Sequence, residues 1–364
     1  MNLSKKILDL ALKLVDALTF WIKKDEKRIT FVSLTQSKLS SDFALIEQEL
    51  QKNGNYKIYT NLLDYKPNLK GKAQYFFNCL KQMVQAKKSA LVILNDNNYV
   101  ISMHKPKDLK VLQVWHACGA VKKFGNQIAR EYPIQNYSAV LSCSNAWKPA
   151  FSQAFGLEQE QVVSTGLART DVLFNQEEMN ARLKAFYEKY PSLQGKKLIL
   201  YAPTFRGNIV KGMYLHPFDY DKLLDQLDDS WVLLYKYHPL LHMKNEEHER
   251  AVDVGKEDLY TLMAASSLLI SDYSSVIFDY SLLDKPMIAY VPDVDEYQTS
   301  IGLNMDFEEF PGPVLREESQ LAQKILEQGK GYDKKRQAFQ KKYMPHIDGQ
   351  NTKRIIELID TLMH

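Results

Sequence analysis

Cysteine is scarce in this chain. Cys79, Cys118 and Cys143 are the three among 364 residues, and none forms a CxxC pair. That argues against a structural zinc site and for a reducing compartment. No apolar run reaches the roughly 18 residues that a spanning helix needs. The long apolar core and small-residue cleavage site of a signal peptide are also missing. The expected location is therefore the cytoplasm. No GxGxxG opens a helix after a strand, which excludes the standard dinucleotide loop and speaks against hydride transfer. Net charge is only +3, too small to make nucleic acid the main partner. No carboxylate pair has metal-ligand spacing, no nucleophile–base–acid triad stands out, and no cofactor is expected.

What the chain does have is the composition of a soluble globular protein, 25% charged and 45% hydrophobic, at a length that fits two domains. Short apolar runs alternate with helical ones. Arg28–Ser33, Tyr56–Tyr59, Ala90–Leu94, Val111–Trp115, Ala139–Ser142 and Val162–Thr165 form one strand series. Leu198–Ala202, Trp231–Tyr235, Leu268–Ser271 and Met287–Tyr290 form a second. This alternation predicts an α/β fold of two doubly wound parallel sheets. The expected division is 25–180 for the first domain and 181–349 for the second, with the charged helical stretch Gln176–Lys197 between them. The amphipathic helix 350–364 is expected to pack back on the first domain. Residues 1–24 place Leu3, Ile7, Leu10, Ala11, Leu14, Leu18, Trp21 and Ile22 at spacings of three and four, flanked by lysines. Such a basic amphipathic helix suits a membrane interface or docking on its own domain.

In open α/β sheets, ligands bind at the carboxyl ends of strands. Five motifs follow predicted strands. In the first, Gln113–Lys123, His116 can take a proton near neutral pH, and Lys122 and Lys123 can approach an anion. In Gly166–Asp171, Arg169 suits phosphate, but pairing with Asp171 is the simpler reading. Tyr201–Arg206 offers Thr204 and a guanidinium, Arg206, able to grip phosphate oxygens. Tyr235–Pro239 carries Lys236, Tyr237 and His238. The stretch Leu268–Tyr290 places Ser274 and Ser275 where a helix begins, as phosphate donors or as simple caps. Asp279 there suits polyol hydroxyls or a pair with Lys285. Asp293, Asp295 and Glu296 read as a solvated acidic loop. The set suits transfer of a group from a phosphorylated donor.

Taken in order, WHACGAVKKFG, GLARTD, LYAPTFR, YKYHP, ISDYSSVIFDYSLLDKP and PGPVL resemble the CDP-glycerol glycerophosphotransferase family over about residues 25–350. The resemblance implies two Rossmann-like domains of the glycosyltransferase B type with a cleft between them, plus the N-terminal amphipathic helix. It implies transfer of glycerol phosphate or ribitol phosphate from a CDP-polyol to a hydroxyl of an undecaprenyl-linked teichoic acid precursor, with release of CMP. It casts His116 as general base and His238 as stabiliser of the transferred phosphate. Thr204, Arg206, Lys236, Tyr237, Ser274, Ser275 and Asp279 are then expected around the donor, and Lys122, Lys123 and Arg169 on acceptor or anion. The enzyme is expected on the inner face of the cell membrane. His116-Ala117 departs from the family's usual His-Gly, and Gly119 is the residue expected to restore flexibility. Two other readings are a nucleotide-sugar glycosyltransferase or epimerase on the same scaffold, and a non-catalytic membrane-docked binding protein.

Overall fold

A computed structural model describes residues 3–208, 212–237 and 249–364. The chain divides into two compact units. Unit 1 comprises 1–117, 123–171 and 350–364; unit 2 comprises 118–122 and 172–349. The crossing between residues 171 and 172 falls ahead of the expected boundary at 180, because the charged helix beyond it packs within unit 2. The short segment 118–122 also belongs to unit 2, which the sequence reading had placed wholly in the first domain.

Unit 1 runs α1 (Leu3–Leu18), β1 (Asp25–Ser33), α2 (Asp42–Asn53), β2 (Lys57–Leu62), α3 (Leu69–Lys88), β3 (Ser89–Leu94), α4 (Tyr99–His104), β4 (Lys110–Gln113), β5 (Ala139–Ser142), α5 (Lys148–Phe155) and β6 (Val162–Ser164). Its six strands are all parallel, in the order β2-β1-β3-β4-β5-β6. Every residue of β3, SALVIL, is buried, as an inner parallel strand covered on both faces requires.

Unit 2 runs α6 (Gln176–Lys189), β7 (Lys197–Ala202), β8 (Arg206–Asn208), β9 (Gly212–Tyr214), α7 (Tyr220–Leu224), β10 (Trp231–Tyr235), β11 (Ala251–Asp253), α8 (Leu259–Ala265), β12 (Leu268–Ser271), α9 (Val276–Ser281), β13 (Met287–Tyr290), α10 (Val294–Ser300), β14 (Val314–Leu315), α11 (Leu321–Glu327) and α12 (Asp333–Tyr343). The main sheet is parallel, in the order β11-β10-β7-β12-β13-β14. Counted within the unit this is 3-2-1-4-5-6, the doubly wound order. Its core gathers Ile199, Trp231, Leu233, Leu268, Ile270 and Ile288. The α/β expectation of two parallel sheets thus holds.

The closing helix α13 (Asn351–Met363) is part of unit 1. Ile355, Ile356 and Ile359 are buried, and the Asp360 carboxylate accepts from Tyr56 Oη at 2.7 Å. Its start is held by Asp171, whose carboxylate accepts the Asn351 and Thr352 backbone N–H groups at 3.0 and 2.8 Å. Gly166 has φ +75, and a Cβ there would lie 2.2 Å from Asn351 Oδ1. Only glycine lets α13 approach β6 so closely.

Helix α1 has two apolar faces. Leu8 and Leu12 are buried against Cys79, Met83, Tyr99 and Val100. The stripe read from the sequence is a different one: Leu3, Ile7, Leu10, Leu14 and Leu18 stay exposed, as do Phe20 and Trp21 just after the helix. No helix among the described residues is long and apolar enough to cross a membrane.

Candidate active site

Strand order reverses between β1 and β3 in unit 1 and between β7 and β12 in unit 2. These are the switch points where doubly wound sheets open a ligand crevice. In each unit one buried aspartate ties the two flanking loops together. In unit 1 Asp96, after β3, accepts the Leu34 N–H at 2.6 Å and Ser33 Oγ at 3.4 Å. In unit 2 Asp272, after β12, accepts the Thr204 N–H at 2.8 Å and Thr204 Oγ1 at 3.1 Å.

The environments of these two carboxylates differ. Burial pushes the Asp96 carboxyl up to about 6, opposed by the hydrogen bonds from Leu34 and Ser33 and, among the described residues, by no cation. Asp272 is raised by burial too, but Arg206 and Thr204 oppose the rise. Arg206 Nη1 donates to Asp272 at 3.0 Å, and Nε and Nη2 donate to Asp293 at 2.6 and 3.0 Å. The guanidinium sits 4.9 and 5.0 Å from the ring centres of Tyr273 and Tyr297 and is 7% exposed. The expectation that Arg206 grips donor phosphate therefore meets a guanidinium already engaged by two carboxylates. A buried arginine needs such partners, and sequence spacing did not disclose which they were. Asp293 is the partner missed in the sequence. Read there as part of a solvated loop, it instead accepts from Arg206 and from Tyr273 Oη at 2.9 Å. Its neighbour Asp295 pairs with Arg316.

Lys122 joins this cluster through the segment 118–122. Its backbone carbonyl accepts from Asn304 Nδ2 at 3.1 Å, and its ammonium lies 5.7 Å from the Phe205 ring centre. Burial lowers the ammonium's pKa; Asp272 opposes that shift and Arg206 adds to it. No hydrogen bond or ion pair occupies the Lys122 amine among the described residues. Arg206 and Lys122 together balance Asp272 and Asp293, two charges against two. Lys123 is exposed and belongs to unit 1.

The remaining unit 2 candidates divide. Ser274 and Ser275 are half-buried at the start of α9, and Ser274 Oγ accepts the Val276 N–H at 3.3 Å. With six residues, α9 brings little helix dipole to a phosphate at its start. Asp279 is buried and accepts from Tyr260 Oη at 2.5 Å and Cys118 Sγ at 3.1 Å, so it serves the interior. Lys285 does not pair with it: Lys285 Nζ donates to the Met263, Ala264 and Ser266 carbonyls at the end of α8, and burial lowers its pKa to about 8. Lys236 Nζ donates to the Gly255 and Glu257 carbonyls at 3.0 and 2.8 Å. Tyr237 stacks on Tyr235 at 5.2 Å and is half-buried. His238 lies outside the described residues. A cleft of about 630 Å³ in the same unit is lined by Asp295, Asn304, Phe307, Arg316 and Lys335 among others, and none of the sequence candidates borders it. No group of three or more metal-binding side chains occurs among the described residues.

In unit 1 the backbone itself aims His116. Trp115 takes φ +62, a conformation costly for a bulky residue. The Trp115 N–H donates to Gln113 Oε1 at 2.9 Å, and Gln113 Nε2 donates to the Asp96 carbonyl at 2.8 Å. The Trp115 ring is held between Phe124 and Phe155 and carries the His116 ring at 4.0 Å. The left-handed residue of this loop is thus Trp115, not Gly119. His116 is exposed, and its Nδ1 lies 3.3 Å from the Asn95 carbonyl. A carbonyl only accepts, so this contact selects the tautomer with a lone pair on Nε2. Arg169 does not pair with Asp171. It donates to Asp42 at 2.6 Å and, through Nη2, to the His116 carbonyl at 3.3 Å, bracing the loop from behind.

The chain matches the profile of the CDP-glycerol:poly(glycerophosphate) glycerophosphotransferase family over residues 15–361. It is 30% identical to a teichoic acid ribitol-phosphate primase of Bacillus spizizenii, covering 99% of this chain and 96% of that protein. It is 28% identical to the teichoic acid glycerol-phosphate primase of Bacillus subtilis, with 94% of each chain covered. The solved wall teichoic acid polymerase TagF superposes with a TM-score of 0.76 at 24% identity, over 98% of this chain and 93% of that one. That likeness shows the fold, a glycosyltransferase-B-like pairing of two Rossmann-like units.

Two consequences can be measured. Arg206→Ala leaves Asp272 buried without its cation, and thermal or denaturant unfolding is expected to show a loss of about 3–5 kcal/mol. Asp96 binds its proton more tightly folded than unfolded. Its contribution is therefore greatest below the unfolded value and falls as pH rises from about 4 to about 6. Asp96→Asn is expected to stabilise the protein by about 1–3 kcal/mol near pH 7 and to change little near pH 4. Equal unfolding midpoints for the two proteins near pH 7 contradict this.

Proposed function

We propose, for a chain that belongs to the CDP-glycerol:poly(glycerophosphate) glycerophosphotransferase family, that unit 2 holds a CDP-polyol at its switch point and that His116 of unit 1 deprotonates the acceptor hydroxyl. The chain is an enzyme of that class, moving a polyol phosphate from a CDP-linked donor. The observation that carries the site assignment is Lys122: a half-buried amine with no hydrogen-bond or ion-pair partner among the described residues, beside the Arg206–Asp272–Asp293 cluster after β7 and β12. An anionic diphosphate restores the charge that burial disfavours on that lysine. Thr204 and Ser274 stand at the same loop ends. Arg206 acts through them, as a positioning residue.

The chemistry follows from the groups present. The acceptor oxygen attacks the donor's β-phosphorus, a new P–O bond forms, and the bond to CMP breaks. The acceptor proton goes to His116 Nε2. CMP departs as a phosphate and needs little acid help. Charge stabilisation and positioning then carry most of the acceleration. His238 keeps the role the resemblance assigns it, steadying the transferred phosphate.

The acceptor in this reading is a lipid-linked teichoic acid precursor, met at the inner face of the cell membrane. The support is α1: a row of leucines ending in Phe20 and Trp21 faces outward while a separate pair docks the helix. An exposed apolar row beside lysines suits an anionic bilayer surface.

A donor panel separates this reading from its rivals. CMP released from CDP-glycerol or CDP-ribitol only when acceptor is present supports it; UDP released from a UDP-sugar points to a glycosyltransferase, and no turnover at all to a silent binder. Within the panel, His116→Ala is expected to cut kcat by roughly 100- to 10,000-fold with donor affinity nearly unchanged. Lys122→Met should instead weaken donor binding by about tenfold or more in calorimetry. Leu10→Glu with Leu14→Glu, both on the outward face of α1, should lower sedimentation with anionic vesicles and spare activity on a soluble acceptor analogue. Unchanged sedimentation removes the membrane role.

A further inference from the structure

Unit 1 carries a cationic cleft at the end of its sheet opposite His116. It lies where β1 begins and α3 ends, has a volume of about 240 Å³, and is lined by Trp21, Ile22, Lys23, Asp25, Arg28 and Lys88. Arg28 is 9% exposed. Its Nε donates to Thr30 Oγ1 at 3.3 Å, and its guanidinium carbon lies 3.7 Å from the centre of the Tyr59 ring. No carboxylate forms an ion pair with it among the described residues. The nearby Asp25 is taken by Lys57 Nζ at 2.8 Å and by the Lys27 N–H at 3.1 Å. Lys23 and Lys88 are exposed and likewise without an ion pair among the described residues, whereas Lys24 pairs with Glu26 and Lys87 with Asp16. The lining therefore holds three cations against one carboxylate that is already engaged.

The local backbone explains how a buried arginine comes to face a cleft. The β1–β3 register shifts between Asp25 and Ile29: four residues of β1 advance against two of β3. This irregularity frees 26–28 from regular pairing with β3. A ring under the guanidinium then fixes its plane and leaves both terminal nitrogens as donors. Burying a guanidinium with no carboxylate in ion-pair contact is costly, and here burial lowers the pKa of Arg28 while the charges of Tyr59 and Asp25 oppose that shift. A planar fork flanked by two ammonium groups matches the oxygens of a phosphate ester.

We propose that Arg28, Lys23 and Lys88 form a phosphate-ester site, distinct from the donor site, that takes the headgroup phosphate of an anionic phospholipid. Its place favours the lipid as the source. Trp21, which walls the cleft, continues the exposed apolar row of α1, so a bilayer met by that row lies beside the cleft. The choice of lipid rests on the membrane reading of α1; the anion site does not.

The test uses the full chain. Phosphatidylcholine vesicles containing phosphatidic acid are one probe, read by sedimentation; inorganic phosphate is the other, read by phosphorus NMR line broadening. Arg28→Lys keeps the charge and loses the fork. It should weaken vesicle binding by about tenfold or more and abolish the phosphate broadening. Lys81→Gln, an exposed lysine elsewhere on α3, should cost no more than about fivefold, the general worth of one surface charge. Donor turnover on a soluble acceptor should match wild type in both, so a failed donor assignment is read separately. Lys88→Gln repeats the test if Arg28→Lys fails to fold. Phosphate broadening that depends on Arg28 without vesicle binding keeps the anion site and overturns the lipid as its source. Vesicle binding and broadening that survive both Arg28→Lys and Lys88→Gln overturn the site.

Discussion

A buried charge is tolerated only when something of opposite sign stands beside it, and unit 2 is organised around that constraint. Asp272 draws the loops after β7 and β12 together, Arg206 makes its burial tolerable, and Asp293 and two tyrosine rings hold Arg206 in turn. The residues expected to meet the donor, Thr204 and Ser274, stand on these two loops. Lys122 then completes the charge balance from a distant part of the sequence. Within the cluster the Lys122 amine has no hydrogen-bond or ion-pair partner among the described residues, which is why the proposed donor is placed there.

Unit 1 uses the same device without the arginine. Asp96 bridges β1 and β3 as Asp272 bridges β7 and β12, but no cation stands beside it among the described residues, and burial pushes its carboxyl up to about 6. The loop it anchors also supplies the Asn95 carbonyl that selects the His116 tautomer, while Gln113 links the Asp96 carbonyl to the strained Trp115. Energy stored at Trp115 is offset by the packing of three aromatic neighbours and two hydrogen bonds, leaving the imidazole exposed on a rigid hook. The proposed base is thus steadied by the loop after β3, and the proposed donor loops follow β7 and β12, the strands that flank the unit 2 switch point.

Much of this was legible in advance because it depends on local pattern. Runs such as ALVIL, WVLLY and LLIS announce buried parallel strands, and His116 could be placed at a strand end by position alone. The partners of the charged residues were not legible. Arg169 was matched to Asp171 by nearness in sequence, yet it meets Asp42, and Asp171 holds the start of α13. Asp279, which its position suits to polyol hydroxyls or to Lys285, faces Tyr260 and Cys118. Asp293 looked solvated because acidic loops usually are. In each case the deciding contact joins residues far apart in the chain, and periodicity carries no record of such contacts.

The N-terminal helix shows the same division. Spacing alone established an apolar stripe flanked by lysines; which stripe would be buried depended on what α3 and α4 offered. Leu8 and Leu12 found Met83 and Tyr99, so the longer row stayed outside. By itself the sequence determined the strands, the two sheets and the family, since these follow from hydrophobic period and ordered motifs. Tertiary structure alone decided which charges pair with one another, because ion pairing is set by distance in space, and the chain brings Arg206 to Asp293, and leaves Arg28 with no carboxylate in ion-pair contact among the described residues, only once it has folded.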